Sequence, residues 1–578
     1  MDAKGRVELF RILLVCILAV FILIIVAFRN AHAQERSGEV LQQLEKKDIV
    51  PKERPKEPEI KKEERPKEVK EPPKEDAAPK VLIKQFKVEG RTLLNPAIIH
   101  AIVSANENRE LTFAEIQAVA DLITAKYREA GYILANAFVP AQDVKDGVVV
   151  IKIIEGKVGK ITVDGNKHYS KTFIEKHLAS IMKDPSLKEQ TLERSLLILN
   201  EYQSLEVKAA LQAGKEPGTT DITATVADKF PISFSLGYDN FGSNTTSKHR
   251  MSAALNIGNL ITSGDQIMLR GTTGLDTLDI NKLSYGRIEY LTPIGYDGTQ
   301  LGFYHANSLY KAGEELTILG IEGKARIYGL YISRPFIKTR QRTLSVKAGF
   351  QYKDVYEYRL DSLNSKDDIR IFHIGLNYDY ADGLYGRNIW SIEYNMGIRD
   401  LLGGAGRNDT GTSRLNADGQ FNKFNIDAAR VQKLPLYGYL VLKGSAQLSA
   451  DELFVAEQFT IGGMGSVRGF KSALHSGDNG YSLTAEFAFS PLFPETKVLG
   501  QKIGDTIKLA LFADHGGVYR NKPQPGEDKD NFLTSLGAGL RLYAGKHLSF
   551  RIDYAVPEMK RKFNSKNSET YMQATVAF

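Results

Sequence analysis

Cysteine is nearly absent from this 578-residue chain: there is one thiol, Cys16, inside an N-terminal apolar run. A disulfide scaffold is excluded, and the rest of the chain suits an exported protein that does without disulfides. Long hydrophobic runs are missing as well. Beyond residue 28 nothing approaches the ~20 apolar residues of a membrane-crossing helix. Charged residues make up 25% and mean hydropathy is −0.26, so a helical membrane protein is excluded. What remains is a soluble protein or a membrane barrel. Charge is in mild excess, +7, a weak argument for an anionic partner and none for nucleic acid. Signatures of catalysis are lacking too. No G-x-S-x-G nucleophile elbow occurs, because position 464 is Met464 and Gly411-Thr412-Ser413-Arg414-Leu415 lacks its second glycine. No nucleotide-binding P-loop is present. The ten histidines are scattered, and His515 beside Asp514 is a poor signal for a metal site or a dyad.

At the N-terminus, Lys4, Arg6 and Arg11 precede the apolar run Ile12–Phe28, and Ala31-His32-Ala33 follows. Residues 1–33 read as a signal peptide cleaved before Gln34, with an uncleaved anchor as the alternative. Residues 34–47 carry a thin apolar stripe at Val40, Leu41 and Leu44, which is either a short helix or disorder. Residues 48–80 are Lys-Glu-Pro low complexity, with prolines at 51, 55, 58, 66, 72, 73 and 79. Proline removes helix and balanced charge keeps the segment solvated, so an extended linker is expected.

One topology then runs twice, β-α-α-β-β. In residues 81–156, Val81–Val88 reads as a strand and Ala97–Val103 as a short helix. Thr112 and Glu115 form a capping box for a longer helix. Phe113, Ile116, Ala120, Ile123 and Tyr127 line its apolar face, and Gly131 closes it. Leu134–Val139 and Val148–Ile154 follow as strands. Residues 157–228 repeat the order: strand Val158–Val163, helices at Phe173–Ile181 and Leu192–Leu199, strands Leu205–Leu211 and Asp221–Val226. No catalytic constellation lies in either unit.

From Phe230 the period becomes two. Ile507, Leu509, Leu511 and Ala513 alternate with Lys508, Ala510, Phe512 and Asp514. Leu548, Phe550, Ile552 and Tyr554 alternate with Ser549, Arg551, Asp553 and Ala555. One apolar and one polar face over many strands rich in tyrosine and glycine is the pattern of a transmembrane β-barrel. Residues 229–578 hold about sixteen antiparallel strands at roughly 22 residues per strand plus connection. A soluble β-sandwich or β-helix is the alternative.

Within that region, Gly462-Gly463-Met464-Gly465-Ser466-Val467-Arg468-Gly469-Phe470 sets one arginine among glycines, and Gly477-Asp478-Asn479-Gly480 follows. Such a loop folds back tightly and places one cation. Phe512-Ala513-Asp514-His515-Gly516 completes the set. With Gly131-Tyr132, Pro140-Ala141-Gln142, Asp146-Gly147, Glu155-Gly156, Val163-Asp164-Gly165-Asn166, Tyr238-Asp239-Asn240-Phe241-Gly242 and Tyr290-Leu291-Thr292-Pro293, these pieces resemble one family. It is the outer-membrane transporters of two-partner secretion, the TpsB or haemolysin secretion/activation proteins (ShlB/FhaC/HecB). Its barrels carry periplasmic POTRA domains. The usual Leu-Pro-Gly after the second-POTRA helix reads Tyr202-Gln203-Ser204 here, a departure at that turn.

The resemblance implies a membrane β-barrel of about sixteen strands preceded by two periplasmic α+β POTRA domains, in the bacterial outer membrane. It implies that Val467, Arg468, Gly469 and Phe470 form a transport loop folded into the barrel, where Arg468 meets Asp514 beside Phe512. An ordinary solvated arginine is the bland alternative. Pro140 and Gln142 are candidates for the client-receiving surface or, equally, for simple packing. Residues 34–47 loosely resemble the family's plug helix. The implied partners are an unfolded secreted TpsA-type exoprotein and outer-membrane lipid, with no nucleotide, nucleic acid, cofactor, metal or catalytic residue. An insertase that assembles outer-membrane proteins, sharing barrel, loop and POTRA logic, is the competing reading.

Overall fold

The computed structural model describes residues 60–62 and 79–578, apart from 91–92, 185, 277–281, 408, 436–437, 491–492, 499–500, 524–526, 546 and 559–567. The signal-peptide and plug-helix expectations (1–33 and 34–47) lie outside the described residues, as does most of the 48–80 linker. The chain forms two compact units, one holding the repeated α+β topology and the other the barrel.

In the first unit the linker contributes β1 (Ile60–Lys62). The stretch expected as one strand, Val81–Val88, is two: β2 (Val81–Ile83) and β3 (Gln85–Glu89). The break at Lys84 lets β2 pair with β4 (Arg109–Leu111), while β3 runs parallel to β6 (Val148–Ile154). Between them come α1 (Pro96–Ser104), α2 (Phe113–Glu129) and β5 (Asn136–Phe138). At the start of α2 the Thr112 hydroxyl accepts from Glu115 N, and the Glu115 carboxylate accepts from Thr112 N at 2.7 Å. Ile116, Ala120, Ile123 and Tyr127 are fully buried in the core, but Phe113 is 69% exposed. The packed stripe begins one turn later than the periodicity suggested. Burial, with the adjacent Glu155 carboxylate, pushes the Tyr127 hydroxyl up to about 12.

The second repeat comprises β7 (Lys157–Asp164), α3 (Lys171–Lys183), α4 (Glu189–Leu199), β8 (Leu205–Ala213) and β9 (Thr219–Asp228). Its sheet runs β1-β8-β9-β7. The two repeats meet through Gly131-Tyr132: Gly131 O accepts from Glu189 N at 2.8 Å, and Tyr132 bridges to Lys188. Gly131 has φ +89, a conformation that favours glycine. Ser204 takes φ +58 in the turn before β8.

In the second unit sixteen strands, from Ile232–Asp239 to Glu569–Ala577, pair only with their neighbours and close. The seam is the first strand against the last, Ser235 opposite Ala577 through Asp239 opposite Gln573. Phe578 and Phe234 exchange both backbone hydrogen bonds, at 3.1 and 2.8 Å. Closure leaves no ladder edge for lipid to meet. The alternation holds in three dimensions. On strand Ile507–Tyr519, Leu509 and Leu511 face outward while Ala510, Phe512 and Asp514 are buried. Leu330, Ile332, Leu483 and Leu536 join the exposed apolar band, which water would penalise and a bilayer accepts. Among the described residues no helix is long and apolar enough to cross a membrane.

Candidate functional site: the anchored lumenal loop

The chain between strands Tyr439–Ser449 and Asn479–Phe489 is a long loop that turns into the barrel lumen. Three of its glycines lie in the left-handed region: Gly462 (φ +113), Gly463 (+81) and Gly469 (+89). A Cβ at Gly462 would stand 2.4 Å from Lys471 O, so no other residue fits. Ser466 closes the turn, its hydroxyl accepting from Gly462 N at 2.9 Å and lying 3.1 Å from Gly462 O. Val467 is fully buried against Ile461 and Val518.

This turn delivers Arg468, 3% exposed, to the barrel wall. Its Nε and Nη2 donate to the two oxygens of Asp514 at 2.7 and 2.9 Å, a bidentate fork, and its backbone N donates to Asp514 Oδ2 at 3.1 Å. Nη1 reaches Glu486 and Asp553, at 3.0 and 3.1 Å. The guanidinium lies 3.3 Å from the centroid of the Phe512 ring, a cation–π stack. Tyr571 clamps the next two residues: its hydroxyl accepts from Gly469 N at 3.1 Å and donates to Phe470 O at 3.0 Å. Arg541 and Arg551 also pair with Glu486 and Asp553. Three arginines therefore face three carboxylates, which is how buried charge becomes tolerable. Beside the cluster the lumen opens into a cavity of about 550 Å³, lined by Asp239, Arg250, Lys443, Ser466 and Thr484 among others.

The profile of the haemolysin secretion/activation protein family ShlB/FhaC/HecB matches residues 218–542. The chain belongs to this family. A ShlB-type POTRA domain matches residues 81–156. Among curated relatives, the heme/hemopexin transporter protein HuxB of Haemophilus influenzae (strain 86-028NP) is 24% identical over 464 residues, 78% of each chain. The outer membrane transporter CdiB of Escherichia coli O6:K15:H31 is 24% identical over 502 residues, 86% of this chain and 82% of its own. The solved structure of CdiB from Escherichia coli superposes with a TM-score of 0.70 at 22% identity, covering 88% of this chain and 93% of that one. This protein is accordingly an outer-membrane POTRA barrel whose POTRA domains are periplasmic.

The expected loop residues and Asp514 come together. Sequence reasoning missed Glu486, Arg541, Tyr571 and the use made of Arg551 and Asp553. A signal existed, since 551 and 553 are charges two apart on a strand's polar face. It also missed a second anchor. Asp478, fully buried, accepts from Leu453 N and Asn521 N at 2.8 and 2.7 Å and pairs with Arg414, tying three loops together. Glu457 is pinned between Lys353 and Lys423, both at 2.7 Å. His515 contacts Tyr481 and Thr534, on the strand face opposite Asp514 as alternation demands. In the first POTRA domain, Gln142 spends its amide on Val150: its Nε2 donates to Val150 O and its Oε1 accepts from Val150 N, both at 2.8 Å. The side chain thus acts as a one-residue neighbour strand beyond β5, with Pro140 O 3.3 Å from the same amide.

Proposed function

We propose that this chain is the dedicated export pore for one secreted partner protein. The unfolded client meets the POTRA domains in the periplasm and threads through the barrel to the cell surface, where folding biases its direction. The observation that carries this reading is the lumenal loop, held by Arg468 at Asp514, Glu486 and Asp553. Such an anchor fixes one loop register inside a lumen with polar walls, and directional bidentate pairing suits that task better than adding net stability. Val467, Gly469 and Phe470 set the approach of the loop, and Asp514 with Phe512 forms its seat.

The reading needs no catalytic residue, cofactor, metal, nucleotide or nucleic acid, and makes the protein a pore rather than an enzyme. Its exposed apolar band meets outer-membrane lipid. Domain limits at 81–156, 157–228 and 229–578 accompany it, with Pro140 and Gln142 bordering the receiving surface of the first POTRA domain. Relatives are named for transport of heme/hemopexin and hemolysin; the client here is of that general class, a secreted exoprotein. The two POTRA-like units weigh against an insertase, which would more often carry additional ones.

The test is quantitative proteomics of medium, cell surface and outer membrane with and without this chain. Loss of one large exoprotein, with other barrels unchanged, is the expected result. A broad fall in outer-membrane barrels with no single missing exoprotein would sink the reading in favour of the insertase.

A further inference from the structure

The chain enters the barrel from the periplasm, so its fifth strand (Gln300–Lys311) ends and its sixth (Glu322–Lys338) begins at the cell surface. On the sixth strand the even positions face outward: Arg326, Tyr328, Leu330 and Ile332 are exposed, and the odd residues between them are buried. Tyr328 tops the apolar stretch, and Arg326 and Lys324 follow it toward the rim. Lys311 joins them from the fifth strand, paired across to Glu322, and Lys366 from the eighth (Ser362–Ala381), on the face of exposed Phe372 and Ile374. Later strands differ. Their basic residues Lys423, Lys443, Arg541 and Arg551 point into the lumen, to Glu457, the cavity, Glu486 and Asp553.

Two tyrosines on the seventh strand (Arg342–Arg359) draw these cations together. Lys324 Nζ lies 5.4 Å from the centroid of the Tyr358 ring, and Lys366 Nζ 5.8 Å from that of Tyr356. The four strands together are about 15 Å wide. Carboxylates share the face: Glu322 pairs with Lys311 at 3.4 Å, Asp368 with Lys366 at 2.5 Å, and Asp354 with Arg370 at 2.9 Å. Arg370 is itself fully buried, stacked on Tyr352 and donating to Leu402 O. Five cations thus stand against three carboxylates. Arg326 is exposed and pairs with no carboxylate among the described residues.

We infer that this face binds the phosphate groups of an anionic lipid in the outer leaflet of the membrane. Position selects the occupant. The cations continue the exposed apolar band that the bilayer covers, so a molecule reaching them there has acyl chains below and charge above. Arg326 stands two residues beyond Tyr328 and four beyond Leu330, roughly 13 Å along the strand. Tyrosine at that level belongs to the aromatic girdle, and headgroups lie just beyond it. Charge selects the chemistry. The guanidinium of Arg326 offers a fork of donors that matches a phosphate, and Lys324 adds a point charge beside it. The site also has something to brace. The seventh and eighth strands are 18 and 20 residues long, where about 9–11 suffice to cross a bilayer. Their hairpin therefore projects from the surface, and a headgroup held by Arg326, Lys324 and Lys366 would support its base. The inference rests on the lipid-facing band and is independent of the export reading.

The probe is diphosphoryl lipid A, titrated into the purified full chain in detergent micelles and read as bound adducts by native mass spectrometry. Phosphatidylcholine, whose headgroup carries no net charge, is the comparison lipid. The wild-type chain should bind lipid A at least tenfold more tightly than phosphatidylcholine, and equal affinity for the two overturns the inference. Each basic residue at an anionic lipid surface contributes about fivefold in affinity. Lys324→Gln with Arg326→Gln should therefore weaken lipid A binding at least tenfold and leave phosphatidylcholine unaffected. Arg334→Gln alters an outward arginine of the same strand at its periplasmic end, and should leave lipid A binding within about twofold of wild type. Undiminished binding by the double variant, or an equal loss in Arg334→Gln, overturns the site. Should the double variant fail to insert, the exposed Arg326→Gln decides alone: a loss of about fivefold supports the site, and no loss overturns it.

Discussion

Arg468 makes four side-chain hydrogen bonds to three carboxylates and stacks on Phe512. Removing it leaves Glu486 and Asp553 paired with Arg541 and Arg551 and takes from Asp514 its guanidinium partner. An uncompensated buried charge costs about 3–5 kcal/mol. Arg468→Ala should therefore lower the barrel's melting temperature, reduce export to background, and still yield an inserted, heat-modifiable barrel. Arg468→Lys keeps the charge but not the fork, and should fall between. Full export by the alanine variant would remove the loop from the mechanism. Ser204 shows the opposite economy. In the turn before β8 this chain holds serine at φ +58, a conformation costing ~1–2 kcal/mol outside glycine. Tyr202, buried and hydrogen-bonded to His177 at 3.0 Å, and the Tyr169 hydroxyl, donating to Gln203 O at 2.8 Å, hold the turn in place. Ser204→Gly should stabilise the second POTRA domain by about 0.5–1 kcal/mol, after glycine's entropic cost is subtracted. Hydrogen exchange over residues 157–228 would read it, and faster exchange would refute it.

At the scale of elements, the β7–α3 connection depends on one carboxylate at the end of β9. Asp228 accepts from the backbone N–H groups of Lys167, His168 and Tyr169 at 2.7–3.0 Å. Burial opposes its ionisation, but the three donors outweigh burial and hold its carboxyl below the usual range. A depressed folded-state value contributes stability that is full above the unfolded value and lost as pH falls through the folded one. The second POTRA domain should thus lose protection in hydrogen exchange as pH drops below ~4. Asp228→Asn should be weaker at neutral pH and flatter across that window. An unchanged pH profile in the variant would show that other carboxylates govern the acid response. The elements themselves were largely legible, because capping boxes and periods of 3.6 and 2 are local signals. The division of Val81–Val88 between two sheets was not, since it depends on where β4 and β6 lie.

For the whole molecule, the decisive property is an apolar band on the outside of a closed sheet. Leu511 is 55% exposed on that band. Leu511→Arg should reduce the fraction recovered in the outer membrane, since arginine on the lipid face near the midplane costs about 2–4 kcal/mol. A soluble β-sandwich or β-helix would tolerate the same change at a solvated position. Fractionation followed by heat-modifiability would distinguish the two, and unaltered insertion would count against a lipid-facing strand.

The sequence by itself determined the alternation that makes a barrel, the repeated β-α-α-β-β order, and a glycine-framed arginine with an aspartate on a polar face. Those follow from backbone geometry and side-chain period, which are properties of neighbouring residues. Only the tertiary structure decided which carboxylates meet Arg468. Glu486, Asp514 and Asp553 lie 18, 46 and 85 residues away. Alternation says which face a residue occupies but not how far each strand is slid along its neighbour. It likewise decided that Gln142 would occupy the backbone of Val150, and that a fragment of proline-rich linker would find the open side of β8. Both contacts end on main-chain groups that every residue carries, so the sequence does not mark which residue is the partner.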